Sequence, residues 1–395
     1  MNSSSSVRSV EVAVAGVGTV QAHIALPSEG TGPGLILLTD QSISGQWALQ
    51  TAQLMAEEGY VTVAVDTRKL FDGLRTATHL NTAAAIVASV ASLLADRAEM
   101  DGGIGLIGYG YGATVGCAAA AQGTIKCAIL YSPHALADGS ALPAPSVPTM
   151  VHFGANALAD SVLARSAEAL RGNPKVVSHS YPFAGSEFAC EELQGYVRPA
   201  AMMAYSRSLG LLRKVLGPVI DLESLWEMHL GHEFFTKDPD ATIATMVEDC
   251  YVNHVPNMTG GVGRRYLHRF YKHHFIPRTP DVEMIPVSRT IGVDRLVDEF
   301  VSIFTHDREI DWFLPGIPPT GKRLQVACVS IVSFRGRKLY NEHIYWDQAS
   351  VFVQLGLLDP TKLPVAGVES VQKLLDKTRP SNELMSTWKN SEGLE

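Results

Sequence analysis

The apolar residues of the first half of the chain form short runs that alternate with longer amphipathic stretches. Strand-like runs include residues 34–39, 61–65 and 127–131, and the stretches between them, such as 46–58 and 82–97, have the spacing of helices. Alternation of this kind predicts a mostly parallel sheet covered by helices on both faces. We therefore expect an α/β domain, which we place at residues 7–217.

The pattern changes after Gly217 and Pro218. Predicted helices come first and three strand-like runs follow, with a short turn joining the last two runs as a hairpin. The predicted helices span residues 222–235, 241–248 and 263–274, and the strand-like runs span 295–305, 324–334 and 338–346. Helices followed by a meander indicate an α+β domain. We place it at residues 218–358, with a tail carrying a short helix at 359–395.

Composition and charge narrow the functional classes. The 395 residues are 46% apolar and 18% charged, with a net charge of −8, so the chain can bury large cores but offers no basic surface for nucleic acid. The first six residues lack a secretory pattern, and we identify no apolar run of membrane-spanning length. The five cysteines are scattered without a C-x-x-C pair, which is typical of free thiols in a reducing compartment. We expect a cytoplasmic protein with no membrane partner.

The segment from Gly105 to Ala113 predicts a strand, a glycine turn and a helix of small residues. This is the layout of the nucleophile elbow G-x-S-x-G, in which the central residue attacks the substrate. Here the central residue is Gly110, which has no side chain that could attack a carbonyl. An ordinary acyl-enzyme mechanism therefore cannot begin at this turn.

Three motifs of the first domain resemble the dienelactone hydrolase family of α/β-hydrolases. Besides the elbow, residues 149–157 are similar to the strand and turn that carry the acid of the family's triad, and residues 181–188 are similar to the segment that carries its histidine. The resemblance places the nucleophile at Gly110, the acid at Ala157 and the base at Ser186. All three residues depart from the family pattern. The resemblance therefore implies a vestigial hydrolase site.

Two further features of this domain leave alternatives open. Asp40 stands where the family tends to carry an acidic residue beside the nucleophile, but an Asp after a strand is also a common cap or turn residue. The glycines at 108, 110 and 112 fit a dinucleotide fingerprint, yet they follow several strands and no acidic residue stands about 20 positions later. We predict no nucleotide cofactor. The domain is either a scaffold for stability or dimerisation, or a ligand-binding cleft.

Residues 222–358 resemble the SnoaL-like polyketide cyclases, which have the NTF2-like cone fold. The resemblance rests on the opening helix with Trp226 and His229, on Asn253 and His254, and on the last strand. It implies helices packed on a curved antiparallel sheet, with a ligand in the mouth of the cone. It also implies acid/base chemistry without a cofactor and a catalytic carboxylate in the last strand.

The last strand offers two faces, because side chains alternate along a strand. Asn341, His343, Tyr345 and Asp347 share one face, and Tyr340, Glu342, Ile344 and Trp346 share the other. The first face has more proton-bearing groups, which general acid/base catalysis requires. The predicted catalytic residues are Asp347, His343, His254 and Tyr345, and the predicted substrate-binding residues are Trp226, His229, Asn253, Trp312 and Glu342. Alternatively, His343 and Asp347 satisfy each other or cap the strand end.

The histidines of the second domain do not form a standard metal motif. His229, His232 and Glu233 give H-x-x-H-E, which lacks the spacing of H-E-x-x-H. His273 and His274 are adjacent and therefore face different directions on a helix. We predict no metal and no other cofactor.

These patterns lead to one functional prediction and two alternatives. The leading prediction is a cofactor-independent cyclase or isomerase that acts on a polyketide-like metabolite in the second domain, beside a first domain that has lost its triad. The first alternative is a hydrolase of a lactone, ester or epoxide, with water activated by a carboxylate in either domain. The second is a non-catalytic small-molecule-binding or dimerisation protein. Strands 295–305 and 324–334 are apolar on more than one face, which predicts a homodimer.

Overall fold

The computed structural model describes residues 7–14, 18–65, 76–159 and 161–394. Residues 1–6, in which the sequence shows no secretory pattern, lie outside the described residues. The chain divides into two compact units, Met1–Ile220 and Asp221–Glu395. The predicted domain boundary lies between residues 217 and 218.

The first unit contains an eight-stranded sheet in the order β1-β2-β4-β3-β5-β6-β7-β8. Strands β1 and β2 are antiparallel to their neighbours, and the strands from β4 to β8 pair in parallel. The strands are β1 (Val7–Val14), β2 (Gly18–Ala25), β3 (Gly32–Leu38), β4 (Val61–Val65), β5 (Met100–Tyr109), β6 (Cys127–Tyr131), β7 (Thr149–Gly154) and β8 (Val176–Tyr181). The helices are α1 (Gly45–Glu57), α2 (Ala77–Ala95), α3 (Tyr111–Gln122), α4 (Ser161–Leu170) and α5 (Arg198–Leu216). The predicted α/β fold of this half is confirmed.

The central strands of this sheet are buried along their whole length. Every residue of β3, β4 and β6 is buried, as expected for parallel strands covered on both faces. Helix α3 lies close to the sheet because it carries glycine at the contacts. A Cβ atom at Gly112 would lie 2.5 Å from the carbonyl oxygen of Leu38, and one at Gly116 would lie 2.5 Å from the side chain of Leu130. The helix that follows the elbow is therefore fixed against β3 and β6.

Helix α2 is long and apolar enough to cross a membrane by length and composition, although the sequence interpretation identified no such run. The core helix of a globular protein meets the same criteria. Eight of its side chains are buried, and all of them belong to the main apolar core of the first unit.

The second unit contains a six-stranded sheet in the order β10-β9-β14-β13-β12-β11. Its strands pair antiparallel except for β9 and β14, which are parallel, so the sheet is mixed and the predicted NTF2-like cone is not confirmed. The strands are β9 (Met246–His254), β10 (Thr259–Val262), β11 (Glu283–Ile291), β12 (Arg295–Thr305), β13 (Arg323–Arg335) and β14 (Lys338–Trp346). The helices are α6 (Leu222–Leu230), α7 (Pro239–Ala244), α8 (Arg264–Phe270), α9 (Ile276–Arg278), α10 (Gln348–Leu355) and α11 (Glu369–Leu375).

Two helices of this unit continue into a π-helical turn. Helix α6 is followed by the turn Gly231–Phe235, and helix α8 by the turn Tyr271–Phe275. A π turn adds a residue to the helical turn, which changes where the following side chains point, and such turns are frequent at functional sites. Glu233 lies in the first turn and Tyr271 in the second, and both residues line the same cavity.

Candidate active sites

The elbow of the first unit keeps its backbone geometry without a nucleophile. Gly110 lies between β5 and α3 with φ 54° and ψ −118°, a positive φ that favours glycine. Its N–H donates to the carbonyl of Tyr131 over 2.8 Å, which ties the turn to the neighbouring strand. The turn is thus the one expected of an elbow, but it presents no reactive atom.

Asp40 occupies the space that a side chain at position 110 would need. A Cβ atom on Gly110 would lie 2.7 Å from Asp40 Oδ2. The same oxygen accepts the N–H of Tyr111 over 2.9 Å, and Asp40 Oδ1 accepts the N–H of Ser42 over 3.2 Å. In an active elbow the N–H after the nucleophile binds the oxyanion of the substrate. Here Asp40 already uses that donor.

The two remaining triad positions bring no base or acid to the elbow. Ser186 lines a pocket of about 100 Å³ with Gly110 and Asp40, whereas Ala157 lies in a 3₁₀ turn that follows β7. Burial raises the pKa of the Cys190 thiol, which also lines this pocket, to about 12. A thiol with that pKa is protonated at neutral pH and is a poor nucleophile. The three positions at which the family carries its triad therefore supply no nucleophile, acid or base to this pocket.

The second unit holds a larger and mainly apolar cavity of about 300 Å³. It lies between the sheet and the helices that cover it, and β14 contributes Glu342, Ile344 and Trp346 to its wall. Much of the remaining wall is aromatic or aliphatic, including Phe234, Val252, Phe275, Phe300, Phe313 and Val326. A cavity with few polar groups among apolar walls is typical of a small-molecule site.

A buried cluster of one histidine and two carboxyl groups adjoins this cavity: Glu233 and Glu342 line it, whereas the fully buried His229 is not among the lining residues. Ligand atoms of His229, Glu233 and Glu342 lie within 4.8 Å of one another, and all three residues are buried. His229 Nε2 lies 3.1 Å from Glu233 Oε1, four residues further along the helix. We refer to these three residues as the acid cluster.

A hydroxyl group fixes the proton of the His229 ring. Thr245 donates its hydroxyl to the carbonyl of Thr242 over 2.6 Å, so its oxygen is left to accept from His229 Nδ1, also over 2.6 Å. The ring therefore carries a hydrogen on Nδ1, and Nε2 faces the carboxyl groups.

Burial changes the acidity of the groups around the cluster. Desolvation and the neighbouring Glu233 raise the pKa of Glu342 well above its ordinary value. Desolvation, together with Glu233 and Glu342, raises the pKa of the Tyr271 hydroxyl as well. Perturbed groups in a cavity are a physical indication of a functional site.

The guanidinium that lines this cavity is already engaged by carboxylates. Arg289 forms two hydrogen bonds with Asp298, of 3.0 and 2.9 Å, and further bonds with Glu223 and Glu227. Asp298 also accepts from Trp226 Nε1 over 2.9 Å. Arg289 is thus held in an ion-pair network with three carboxylates.

The family-model match lies in the first unit. A family model described as the dienelactone hydrolase family matches residues 20–216. The N-terminal half is a dienelactone hydrolase-like domain. The carboxymethylenebutenolidase of Pseudomonas sp. (strain P51) is 26% identical over an alignment of 224 residues, and the match covers 51% of this chain and 92% of that protein.

Solved structures similar to the chain include two described as dienelactone hydrolases. The putative enzyme from Klebsiella pneumoniae subsp. pneumoniae MGH 78578 is 19% identical, covers 52% of this chain and 98% of its own, and has a TM-score of 0.43. The enzyme from Anabaena variabilis ATCC 29413 is 16% identical, covers 54% of this chain and 100% of its own, and also has a TM-score of 0.43.

These comparisons correct the functional prediction. The cyclase or isomerase prediction was wrong, because the family model and the carboxymethylenebutenolidase match favour the hydrolase alternative. The family match ends at residue 216, and the resemblance of residues 218–358 to SnoaL-like cyclases has no support.

The structure places the predicted catalytic residues of the last strand outside the cavity. Asp347 caps α10 by accepting the N–H of Ala349 over 2.9 Å, and Tyr345 is 41% exposed. His343 packs edge-on against Tyr251, with ring centroids 5.4 Å apart. The cavity is lined instead by Glu342, Ile344 and Trp346 from the other face of the strand, so the catalytic roles predicted for Asp347, His343 and Tyr345 stay predictions without support from this placement. Glu342 and Ile344 are buried on this second face, while on the predicted face Asn341 is buried and Tyr345 is exposed.

Other predicted residues do meet in the cavity. Trp226, His254 and Trp312 line its wall with Glu342, whereas Asn253 is not among the lining residues. Burial lowers the pKa of His254 to about 4, so its ring is neutral at neutral pH. The ring lies 4.9 Å from that of Trp312, which suits a wall residue better than a proton donor.

Glu233 and Tyr271 are the residues whose placement sequence reasoning missed. Glu233 was weighed only as a partner of His229 and His232, and His232 instead contacts the exposed Thr236. The π turns that direct Glu233 and Tyr271 inward have no signature in the local sequence pattern. The available signal was that Glu233 follows His229 by four residues, which puts both on one helical face.

Proposed function

We propose that this chain hydrolyses a compact, mainly apolar lactone, ester or epoxide in the cavity of the second unit. The hydrolase class is supported by the dienelactone hydrolase-like domain. The location is supported by one observation above all: two carboxyl groups and a histidine are buried together at a cavity with mainly apolar walls.

The elbow of the first unit does not support the reaction. Gly110 offers no nucleophile, and the carboxylate of Asp40 is held by the N–H groups of Tyr111 and Ser42. Since Asp40 occupies the donor that would stabilise an oxyanion, a substrate carbonyl gains nothing there. Hydrolysis without a covalent intermediate needs a different carboxyl group, and the acid cluster supplies two.

The shape of the cavity indicates the substrate class. A volume of about 300 Å³ is at the lower end for ligand sites and suits a compact molecule. Its apolar walls hold the hydrocarbon part of the substrate, and the acid cluster provides polar groups toward which the hydrolysable bond would turn.

The reaction is a direct attack by water. The water oxygen bonds to the acyl carbon, or to a ring carbon of an epoxide, while the bond from that carbon to the leaving oxygen breaks. The acid cluster takes up the proton of the water and returns a proton to the leaving oxygen. The products are an acid and an alcohol, a hydroxy acid from a lactone, or a diol from an epoxide.

A hydrolysis screen on the full-length protein tests this proposal. We expect turnover of at least one class among small lactones, aryl esters and epoxides, measured by titration of released acid or by chromatography. Glu342→Gln is expected to lower kcat by about 10²-fold or more, the usual scale for a positioned proton-transfer group. Glu248→Gln is the matched control, because the Glu248 side chain is 84% exposed. No turnover of any class, or an unchanged rate in Glu342→Gln, contradicts the proposal.

The assembly and location of the protein also remain proposals. The homodimer and the cytoplasmic location expected from the sequence have no further support, and light scattering of the purified protein would test the first.

A further inference from the structure

We infer that His229, Glu233 and Glu342 form a binding site for a divalent metal cation. Each residue offers one ligand atom, and the three atoms lie within 4.8 Å of one another. An ion placed among them could contact all three after small side-chain adjustments. The residues come from α6, from the π turn that follows it, and from β14. The site is thus built on regular elements of the fold.

The histidine is oriented as a metal ligand. Thr245 accepts the hydrogen on His229 Nδ1, and this leaves Nε2 to point at the two carboxyl groups. Metal-binding histidines commonly donate their other ring N–H to an oxygen, which fixes the ring and raises its basicity. Thr245 acts on the metal only through His229 and is therefore a positioning residue.

The charge balance of the cluster favours a cation. Two buried carboxyl groups lie together, Glu233 against His229 and Glu342 without a cationic partner of its own among the described residues, and a bound metal stabilises buried carboxylates in their charged form. Arg289 lines the same cavity, but Asp298, Glu223 and Glu227 already engage its guanidinium. A divalent cation would balance the two carboxylates where this arginine does not.

An independent observation comes from Tyr271. Its side chain is 1% exposed and lines the cavity beside Glu233 and Glu342. Its hydroxyl lies close enough to Glu233 for that carboxyl group to raise its pKa, but within the described part of the chain it meets no partner in good hydrogen-bond geometry. A buried hydroxyl without a partner is uncommon and calls for a ligand or an ordered water. A water bound to the cation would give this hydroxyl its partner.

The donor set indicates a first-row transition ion. One imidazole and two carboxylates suit zinc or manganese, and three protein ligands leave positions open toward the cavity. If the proposed hydrolysis is correct, the cation would hold the attacking water and polarise the substrate oxygen, while a carboxylate of the cluster takes up the proton. The binding site itself does not depend on that function.

Calorimetric titration of the metal-free, full-length protein with zinc chloride and with manganese chloride tests the site. We expect one ion of zinc or manganese per chain, with protons released on binding, as titration in two buffers of different ionisation enthalpy would show. His229→Gln and Glu342→Gln should weaken binding about 100-fold or more, and Thr245→Val about 10-fold. Glu248→Gln should bind as the wild type does.

Two results would overturn the inference. One is the absence of binding to the wild-type protein at micromolar concentrations. The other is binding that both His229→Gln and Glu342→Gln retain, since the ion would then lie elsewhere. If either variant fails to fold, cobalt is bound to the wild type and to Tyr271→Phe instead, and their absorption spectra are compared. Bands typical of mixed nitrogen and oxygen ligands that shift in Tyr271→Phe support the site, and bands unchanged by this substitution contradict it.

The outcomes for the metal and for the hydrolysis can be separated. Binding at the cluster without turnover of any substrate would leave the cation site standing and refute the proposed function. Turnover that depends on Glu342 in a protein that binds no cation would support the proposed function and refute the cation site.

Discussion

Replacing Gly110 by alanine is expected to destabilise the first unit for two reasons that can be measured separately. Residue 110 has φ 54°, and holding a non-glycine residue in a sparsely populated conformation costs about 1–3 kcal/mol. The new Cβ atom would also lie 2.7 Å from Asp40 Oδ2. Asp40 must then move and lose the N–H of Tyr111, a bond to a charged group worth about 1.5–3 kcal/mol. The sum is about 2.5–6 kcal/mol.

A second glycine of the same helix isolates the contribution of Asp40. Gly123, at the C-terminal end of α3, has φ 70° and no atom within 4 Å of a Cβ position. Gly123→Ala should therefore cost only the backbone strain, about 1–2 kcal/mol. Gly110→Ala measured in an Asp40→Ala background should lose most of the contact cost, because the clashing carboxylate is gone.

Urea unfolding combined with pulsed hydrogen exchange and mass spectrometry provides the assay. Peptides of α3 report on the first unit separately from the second unit, so a two-state transition of the whole chain is not required. A Gly110→Ala cost within about 0.5 kcal/mol of the Gly123→Ala cost would refute the reasoning. An equal cost of Gly110→Ala in the wild-type protein and in the Asp40→Ala background would refute it as well.

Three further predictions concern the core, the pH dependence and the cavity. Arg213→Ala leaves the buried Glu58 carboxylate without its ion-pair partner and should cost about 3–5 kcal/mol in urea unfolding, against no measurable change for Lys214→Ala. Burial, with His179 and Arg207 nearby, lowers the pKa of His152 to about 3. Below pH 6.5 the unfolded chain therefore takes up a proton that the folded protein does not, and the free energy of unfolding falls as the pH falls toward 3. At pH 5 this pH effect lowers the free energy of unfolding by about 2 kcal/mol, and His152→Gln should abolish the pH effect. Equal slopes of unfolding free energy against pH for the wild type and His152→Gln would contradict the prediction. Ser330→Phe places a ring in the cavity and should raise KM about tenfold for any substrate of the screen, whereas an unchanged KM would place binding elsewhere.

The architecture of the first unit was predictable because it follows from local patterns. Uninterrupted apolar runs predicted β3, β4 and β6 as strands of a sheet covered on both faces, and the segment from Gly105 to Ala113 predicted the elbow and a helix of small residues after it. Asp40 was singled out because the family resemblance places an acidic residue beside the nucleophile, with a cap or turn role as the alternative. Its contact with position 110 depends on the parallel pairing of β3 and β5, which no local pattern specifies.

The site of the second unit was predictable only in part. Glu342, His229 and Trp226 were named from the sequence, but the strand face was chosen by counting proton-bearing groups. Burial follows the apolar neighbours Ile344 and Trp346 instead, and these bring Glu342 into the cavity. Asp347 was read as part of the strand although it caps the next helix. The inward placement of Glu233 depends on a π turn.

The most direct test of the central claim compares Glu342→Gln with Asp40→Asn in the full-length protein, on one substrate that the wild type hydrolyses. The first variant alters the cavity of the second unit, and the second alters the elbow of the first. We predict that Glu342→Gln lowers kcat by about 10²-fold or more while Asp40→Asn stays within about twofold of the wild type. Loss of turnover in Asp40→Asn, with wild-type turnover in Glu342→Gln, would place the reaction at the elbow and contradict the account.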